Sequence, residues 1–470
     1  MLFSSRLFSS ALLLISLLFA PAVAWAAENV TSVTLPNGLR VITAPSHTVA
    51  ITSIDVWVRA GTRRQPIDQQ GVAHFLEHLL FKGTPTRPSE TQIDGAIEDL
   101  GGSLDAATSY DWAHFYTVVP SSGFSTALDV LADALQHANI SSDAVENERA
   151  VIINEIARHD DSHINQLLDE AHALSYPDSH PYHFPVMGTS DDVQNISRQQ
   201  ILDFYHTYYV PNNVTVVITG DITSDQALAA AQKEFGSWKF SASLPADNDM
   251  PVPPLSGIQR HIDHDPAEQT YLMMAFPAPS VKDQPDVWTM DVLMTLLGQG
   301  AGSLLDTDLH RKRHLVTAIS ADFLTQRDAG LMTISATLPT GDLENVESAI
   351  LKQIDVLRAG PVSDDDLAAA KQMLMATYLF DAETDSGRAD SLGFYDSIDT
   401  FEYDNKYVDR LEAVTAADLQ RVAQKYLTPD SYTLVALVPP ADAINAAAPK
   451  PTSDQVVLSS GPKADSAAHF

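Results

Sequence analysis

Cysteine is absent from all 470 residues, which excludes a disulfide framework and a lipid anchor on cysteine, and leaves stability to a large core. Basic residues are scarce: 28 Lys and Arg face 61 Asp and Glu, for a formal charge of -33. Such a surface repels phosphate backbones, so nucleic-acid binding is excluded as a function class, and basic, unfolded peptides are better-matched partners. Long apolar runs are also missing, except near the start. There Arg6 precedes a largely apolar run from Leu7 to Phe19 and then Ala24-Trp25-Ala26, the pattern of a secretory signal peptide over residues 1–26. That run is too short to span a bilayer comfortably. The expected location is periplasmic or secreted, with no membrane span once the signal is cleaved.

What is present is concentrated in His74-Phe75-Leu76-Glu77-His78. With 16 His in the chain, this pattern should arise by accident only on the order of 0.02 times. Val72, Phe75, Leu76, Leu79 and Leu80 recur at the spacing of one buried helical stripe, and Gly83 ends the run. His74, Glu77 and His78 then project from the opposite face. A catalytic zinc needs a third protein ligand. The best candidate is Glu155, in a segment where Asp143 and Glu146 read as a helix start. Glu148 and Glu155 are two turns apart there and share a face, beside an apolar strip of Val145, Ile152, Ile153 and Ile156.

The run from Gly71 to Thr84, with Glu148-Arg149 and Glu155, resembles the inverted-motif zinc peptidases. This is the pitrilysin and insulin-degrading-enzyme family, and the likeness is greatest to its mitochondrial processing peptidase branch and bacterial relatives. The resemblance extends through Gly101 to Thr108, His180-Pro181-Tyr182, Gly188 and Tyr208 to Val214. It implies a zinc-dependent endopeptidase acting on extended or unfolded peptides. His74, His78 and Glu155 would hold one Zn2+ per chain, and Glu77 would be the catalytic general base taking a proton from the metal's water. Glu148 would orient a ligand without binding metal. A peptide would add to the strand of Asp105, Ala106 and Ala107, where Asp105 stands in place of the family's common Asn. The alternative is a non-catalytic or assembly subunit of a heterodimeric peptidase of the same family.

Excluding the signal, the chain is long enough for two domains. An internal echo supports them: Ile196–Leu202 running to Pro211 resembles Val414–Gln420 running to Pro429, an offset of 218 residues. The expected boundaries are 27–240 for a zinc-binding peptidase domain, 241–256 for a linker, 257–440 for a homologous domain without the motif, and 441–470 for a disordered tail. The expected fold class is α+β, with two homologous halves, each a mostly antiparallel sheet covered by helices, facing across a cavity. Thr31 to Ala44 reads as a hairpin and Ile51 to Val58 as a half-buried strand. Helices are expected near 71–82, 89–100, 124–137 and 143–174. In the second half the family often carries an Arg and a Tyr seven residues apart that grip substrate, but His310 and Thr317 stand there. Either a related partner chain supplies that pair in a heterodimer, or His310, Arg311 or Arg313 replaces it in a homodimer.

Overall fold

The computed structural model describes residues 30–264, 269–339 and 342–440. The expected signal peptide and tail lie outside the described residues. The strands are β1 (Thr31–Thr34), β2 (Arg40–Pro45), β3 (Ile51–Val58), β4 (Leu104–Thr108), β5 (Ala113–Pro120), β6 (Val214–Gly220), β7 (Gln259–His264), β8 (Thr270–Pro277), β9 (Ala318–Phe323), β10 (Leu331–Leu338) and β11 (Thr433–Val438). The first half carries helices α1 (Val72–Leu80), α2 (Glu90–Glu98), α3 (Phe124–His137), α4 (Ser142–Asp160), α5 (His163–Ser175), α6 (Ser190–Asn195), α7 (Arg198–Tyr208) and α8 (Ser224–Phe235). The second carries α9 (Asp286–Gly298), α10 (Leu343–Ala359), α11 (Asp364–Asp381), α12 (Asp385–Ile398), α13 (Glu402–Asn405), α14 (Tyr407–Ala413) and α15 (Ala416–Tyr426).

The strands form two sheets, ordered β1-β2-β6-β3-β5-β4 and β7-β11-β8-β10-β9. In each, one pair is parallel, β2 with β6 inside the first sheet and β7 with β11 at the edge of the second, and the other pairs are antiparallel. The α+β class with two homologous halves is therefore the observed one. Matching strands begin at Ile51 and Thr270, Ala113 and Leu331, and Val214 and Thr433, each 218 or 219 residues apart. At this offset α9 stands where α1 does. All thirteen of its residues are buried, so the position of the histidine helix is filled by a purely structural element.

The hairpin of β1 and β2 forms at the expected place, with Thr34 opposite Arg40 and Gly38 at a positive φ of 88° in the turn. Two other expectations need correction. The helix expected over 143–174 is two helices, because Ser162 breaks it and its hydroxyl caps α5 by accepting from Asn165 N. Strand β3 is not half-buried: every residue after Ile51 is buried. Its Ile54, Val56 and Val58 face the core of the first half, and Trp57 on the other face is covered by α12.

That cover belongs to the second half, and the exchange is mutual. Leu167, Ala171 and Tyr176, on and just after α5 in the first half, pack on Met273, Ala275, Val435 and Leu437 of the second sheet. On the other side α12 lies on β3 and β6, where a Cβ on Gly393 would sit 2.0 Å from Trp57 Nε1. Asp396 of α12 is wholly buried and accepts from Arg40, from Arg59 (3.0 Å) and from Thr215 (2.7 Å). Residues 236–258 contain no helix or strand and run along this seam, where Asp247 meets Arg63 and Arg64.

Inside the second half, Asp291 on α9 is buried and accepts a hydrogen bond from the Tyr407 hydroxyl at 2.9 Å. Burial pushes its carboxyl up to about 7, against the pull of that bond. The folded chain thus holds this proton more tightly than the unfolded chain, so stability falls as pH rises from about 4 through about 7. Asp291→Asn is expected to leave stability unchanged at pH 4 and to raise it at pH 8 by on the order of 4 kcal/mol. Thermal denaturation across that range should show a Tm gap that opens with pH.

Candidate metal centre

Helix α1 starts at Gly71, which has a positive φ of 84°, and a Cβ there would stand 2.3 Å from the Met187 carbonyl oxygen. Only glycine fits that start. Val72, Phe75, Leu76, Leu79 and Leu80 then bury against the first half's core, as their spacing predicts. His74, Glu77 and His78 leave the opposite face, but that face is covered by α4 and by the end of β4. His74 is consequently buried, and Glu77 and His78 are half-buried.

Helix α4 begins at Ser141, whose hydroxyl accepts from Ala144 N at 3.1 Å, and not at the expected Asp143–Glu146 pair. A cap must present its acceptor to the amide three residues on, and Asp143 is already in the first turn, where its charge suits the helix dipole. Val145, Ile152 and Ile156 anchor the helix in the core. Glu148 and Glu155 thereby reach His78 from one side. His78 Nε2 lies 3.2 Å from Glu155 Oε2, and His74 Nε2 lies 3.9 Å from Glu155 Oε1. The two imidazole rings are 4.7 Å apart and inclined by 73°.

These spacings suit a zinc ion. Four tetrahedral ligands at about 2.0–2.1 Å stand about 3.3 Å from one another. The protonation states of His74 and Glu155 suit it as well. Burial, with His78 beside it, holds the His74 imidazole well below its ordinary pKa, hence neutral. The hydrogen bond from His78 lowers the Glu155 carboxyl, hence ionised. Burial opposes charge on His78, but Glu155, Glu77 and Glu148 together raise it.

The side chains around this set have fixed partners. Glu148 is buried; one oxygen lies 3.3 Å from His78 Nδ1, and the other meets the Lys82 ammonium at 3.2 Å. His78 Nε2 is thereby left facing Glu155. Glu77 accepts a 2.5 Å hydrogen bond from the Thr108 hydroxyl, the last residue of β4. Desolvation pushes the Glu77 carboxyl up to about 7, and the bond from Thr108 pulls it down. The donor atoms of His74, Glu77 and His78 lie within 4.8 Å of one another.

Strand β4 is an edge strand, paired with β5 on one side only. Asp105 on it is exposed and accepts from Ser103 Oγ at 3.0 Å, and Ala106 and Ala107 are half-buried. Sequence reasoning missed Thr108 and Lys82. Lys82 follows His78 by four residues, just past the end of α1, a signal that could have been read. Thr108 becomes visible only when β4 is laid against α1.

A second cluster also went unread. His114 on β5 holds Asp55 at Nε2 (2.9 Å) and faces Asp390 of α12 from Nδ1 (3.7 Å). Its carboxylates approach opposite nitrogens, so His114 ties the sheet to α12. In the second half, His310 Nδ1 lies 2.8 Å from Asp306, Arg311 donates to Asp306 at 2.6 Å, and Arg313 pairs with Asp308 at 3.5 Å.

The family model described as insulinase, peptidase family M16, matches residues 40–189, and that of the peptidase M16 inactive domain matches residues 195–374. An uncharacterized zinc protease of Mycobacterium bovis is 31% identical over 417 residues, spanning 87% of this chain and 92% of that protein. A probable mitochondrial-processing peptidase subunit beta of Arabidopsis thaliana is 29% identical over 424 residues, 86% of this chain and 78% of that one. Among solved structures, a protease from Helicobacter pylori superposes with a TM-score of 0.83 at 26% identity, covering 88% of this chain and 100% of that one.

If Glu148 orients His78, Glu148→Gln should weaken zinc affinity by about 10- to 100-fold, measured by competition with a chelator, while the fold is retained.

Proposed function

The chain belongs to the insulinase family of zinc peptidases, peptidase family M16, and from that premise we propose that it is an endopeptidase hydrolysing extended or unfolded peptides. The observation that carries this reading is the convergence of His74, His78 and Glu155, with Glu77 beside them and tied to the edge strand through Thr108. His74, His78 and Glu155 would hold the metal. When bound, zinc supplies Lewis acidity and brings the pKa of its water down to about 7.

Glu77 is next to a ligand but is not one. Its carboxylate takes a proton from the attacking water and later delivers it to the amine leaving group. Thr108 holds that carboxylate in place. Glu148 fixes the ring of His78, and Lys82 balances the charge of Glu148. Substrate backbone pairs with the open side of β4 at Asp105, Ala106 and Ala107, so main-chain hydrogen bonds supply most of the grip and sequence preference stays loose. The Asp105 carboxylate favours basic side chains nearby, in keeping with the acid surplus of the whole chain.

A substrate-gripping Arg and Tyr would come from a related partner chain in a heterodimer. This is supported by the local pairing of His310 and Arg311 with Asp306, and of Arg313 with Asp308, which occupies those side chains within their own turn. The N-terminal pattern supports work in the periplasm or outside the cell. A non-catalytic assembly role is disfavoured because the full donor set and the base are present together.

Glu77→Gln is expected to retain stoichiometric zinc and to lose at least about 100-fold in kcat/KM on an unfolded peptide. Unchanged cleavage in that variant would remove Glu77 as the base. Purification from the native source with mass spectrometry should recover a related chain carrying the Arg-Tyr pair, and full activity of this chain alone would count decisively against the shared site.

A further inference from the structure

We propose that an arginine-lined cleft at the seam of the two halves binds a small organic oxyanion, through a carboxylate or phosphate group. In a chain with only 28 basic residues, Arg40, Arg59, Arg64 and Arg327 all line one open cleft of about 670 Å³. Arg40 comes from β2, Arg59 from the end of β3, Arg64 from the turn that follows, and Arg327 from the second half. None of them belongs to α1 or α4, and no residue of the candidate metal centre lines the cleft.

The bland reading makes these arginines struts of the seam, and part of each one is. Strut duty leaves donors over. Arg40 Nη1 and Arg59 Nη2 share one carboxylate, that of Asp396, while Arg63, Arg64 and Arg327 share Asp247. Arg63 has Asp328 as well and Arg327 has Asp249 at 3.6 Å, but Arg64 has no other acid within bridging distance among the described residues. Nε and the second terminal nitrogen of both Arg40 and Arg59 donate to nothing among the described residues, although the two side chains are 34% and 26% exposed. Arg64 is 7% exposed, and its Nε is buried without a partner. Spare guanidinium donors facing a cleft are suited to carboxylate or phosphate.

Electrostatics agree with this geometry. Burial holds the Arg59 guanidinium below its ordinary pKa, and Arg40 and Arg327 push the same way against Asp396 and Asp247. An added anion would relieve that repulsion. Asp247 and Asp399 are the acids that oppose it, because both line the same cleft; Asp247 is taken up by arginines of the seam, and the Asp399 carboxyl is raised by burial. The wall formed by residues 240–246 is largely apolar. Phe240 there is 59% exposed, with Leu244 and Pro245 beside it, which leaves carbon surface for the body of the ligand. Because residues of both halves line the cleft, an occupant would touch both sides of the seam.

The test is calorimetric titration of the full chain with inorganic phosphate and with succinate, against chloride at matched ionic strength. A saturable heat is expected for at least one oxyanion and none for chloride. A response to phosphate alone assigns a phosphorylated ligand, and a response to succinate alone assigns a carboxylate. Arg40→Gln, at the rim, should weaken binding about tenfold, the worth of one charge-assisted hydrogen bond. Asp399→Asn should tighten it, and that variant decides the matter if Arg40→Gln fails to fold. Heats equal to the chloride control for both anions, or a Kd unchanged in both variants, would overturn the proposal.

Discussion

The register between α1 and α4 at His78 is the contact on which the candidate centre depends. One imidazole touches two carboxylates two helical turns apart, Glu148 at Nδ1 and Glu155 at Nε2. A one-residue rotation of α4 would move both acids together by about 100° and dissolve the site. That register is set by ordinary packing. Val145, Ile152 and Ile156 hold α4 in the core, and Ser141 fixes where it begins. The chemistry is thus positioned by apolar residues that take no part in it.

The duplicated topology gives the two halves the same five-strand order, yet they are not two separate bodies set side by side. Each gives a helix to the other's sheet, α5 in one direction and α12 in the other. Buried charge accompanies the exchange: Asp396 is wholly enclosed but is met by two arginines and a threonine, the condition under which a buried carboxylate is tolerable. The duplication also explains why one half keeps the chemistry. At the place of α1, the second half has α9, whose residues are all enclosed and could not present ligands to a substrate.

Much of this was legible in the sequence because it is local or periodic. The His74–His78 spacing, the stripe of Val72 to Leu80, the Glu148–Glu155 repeat and the hairpin at Gly38 each occupy a few turns or one strand pair. The echo between Pro211 and Pro429 disclosed the duplication. What could not be read is what depends on distant chain. Strand β3 alternates as a half-exposed strand would, and only α12, more than 300 residues later, closes its second face. The bond from Thr108 to Glu77 is likewise invisible until an edge strand is placed beside a helix. The break at Ser162 was missed for a different reason: helical periodicity continues across it, and one capping hydroxyl outweighs that pattern.

The exchanged helices bear on how the protein is made. The first half has all its own strands by Gly220, well before α12 at Asp385–Ile398. Until about residue Ile398 has been added, the face of the first sheet bearing Ile42, Trp57 and Val217 has nothing to rest against. A chain folded only to that point presents a broad apolar surface with the candidate metal centre already formed, which is the species chaperones hold. Assembly of the half that carries His74, His78 and Glu155 is therefore completed last by a segment that contributes no residue to that centre.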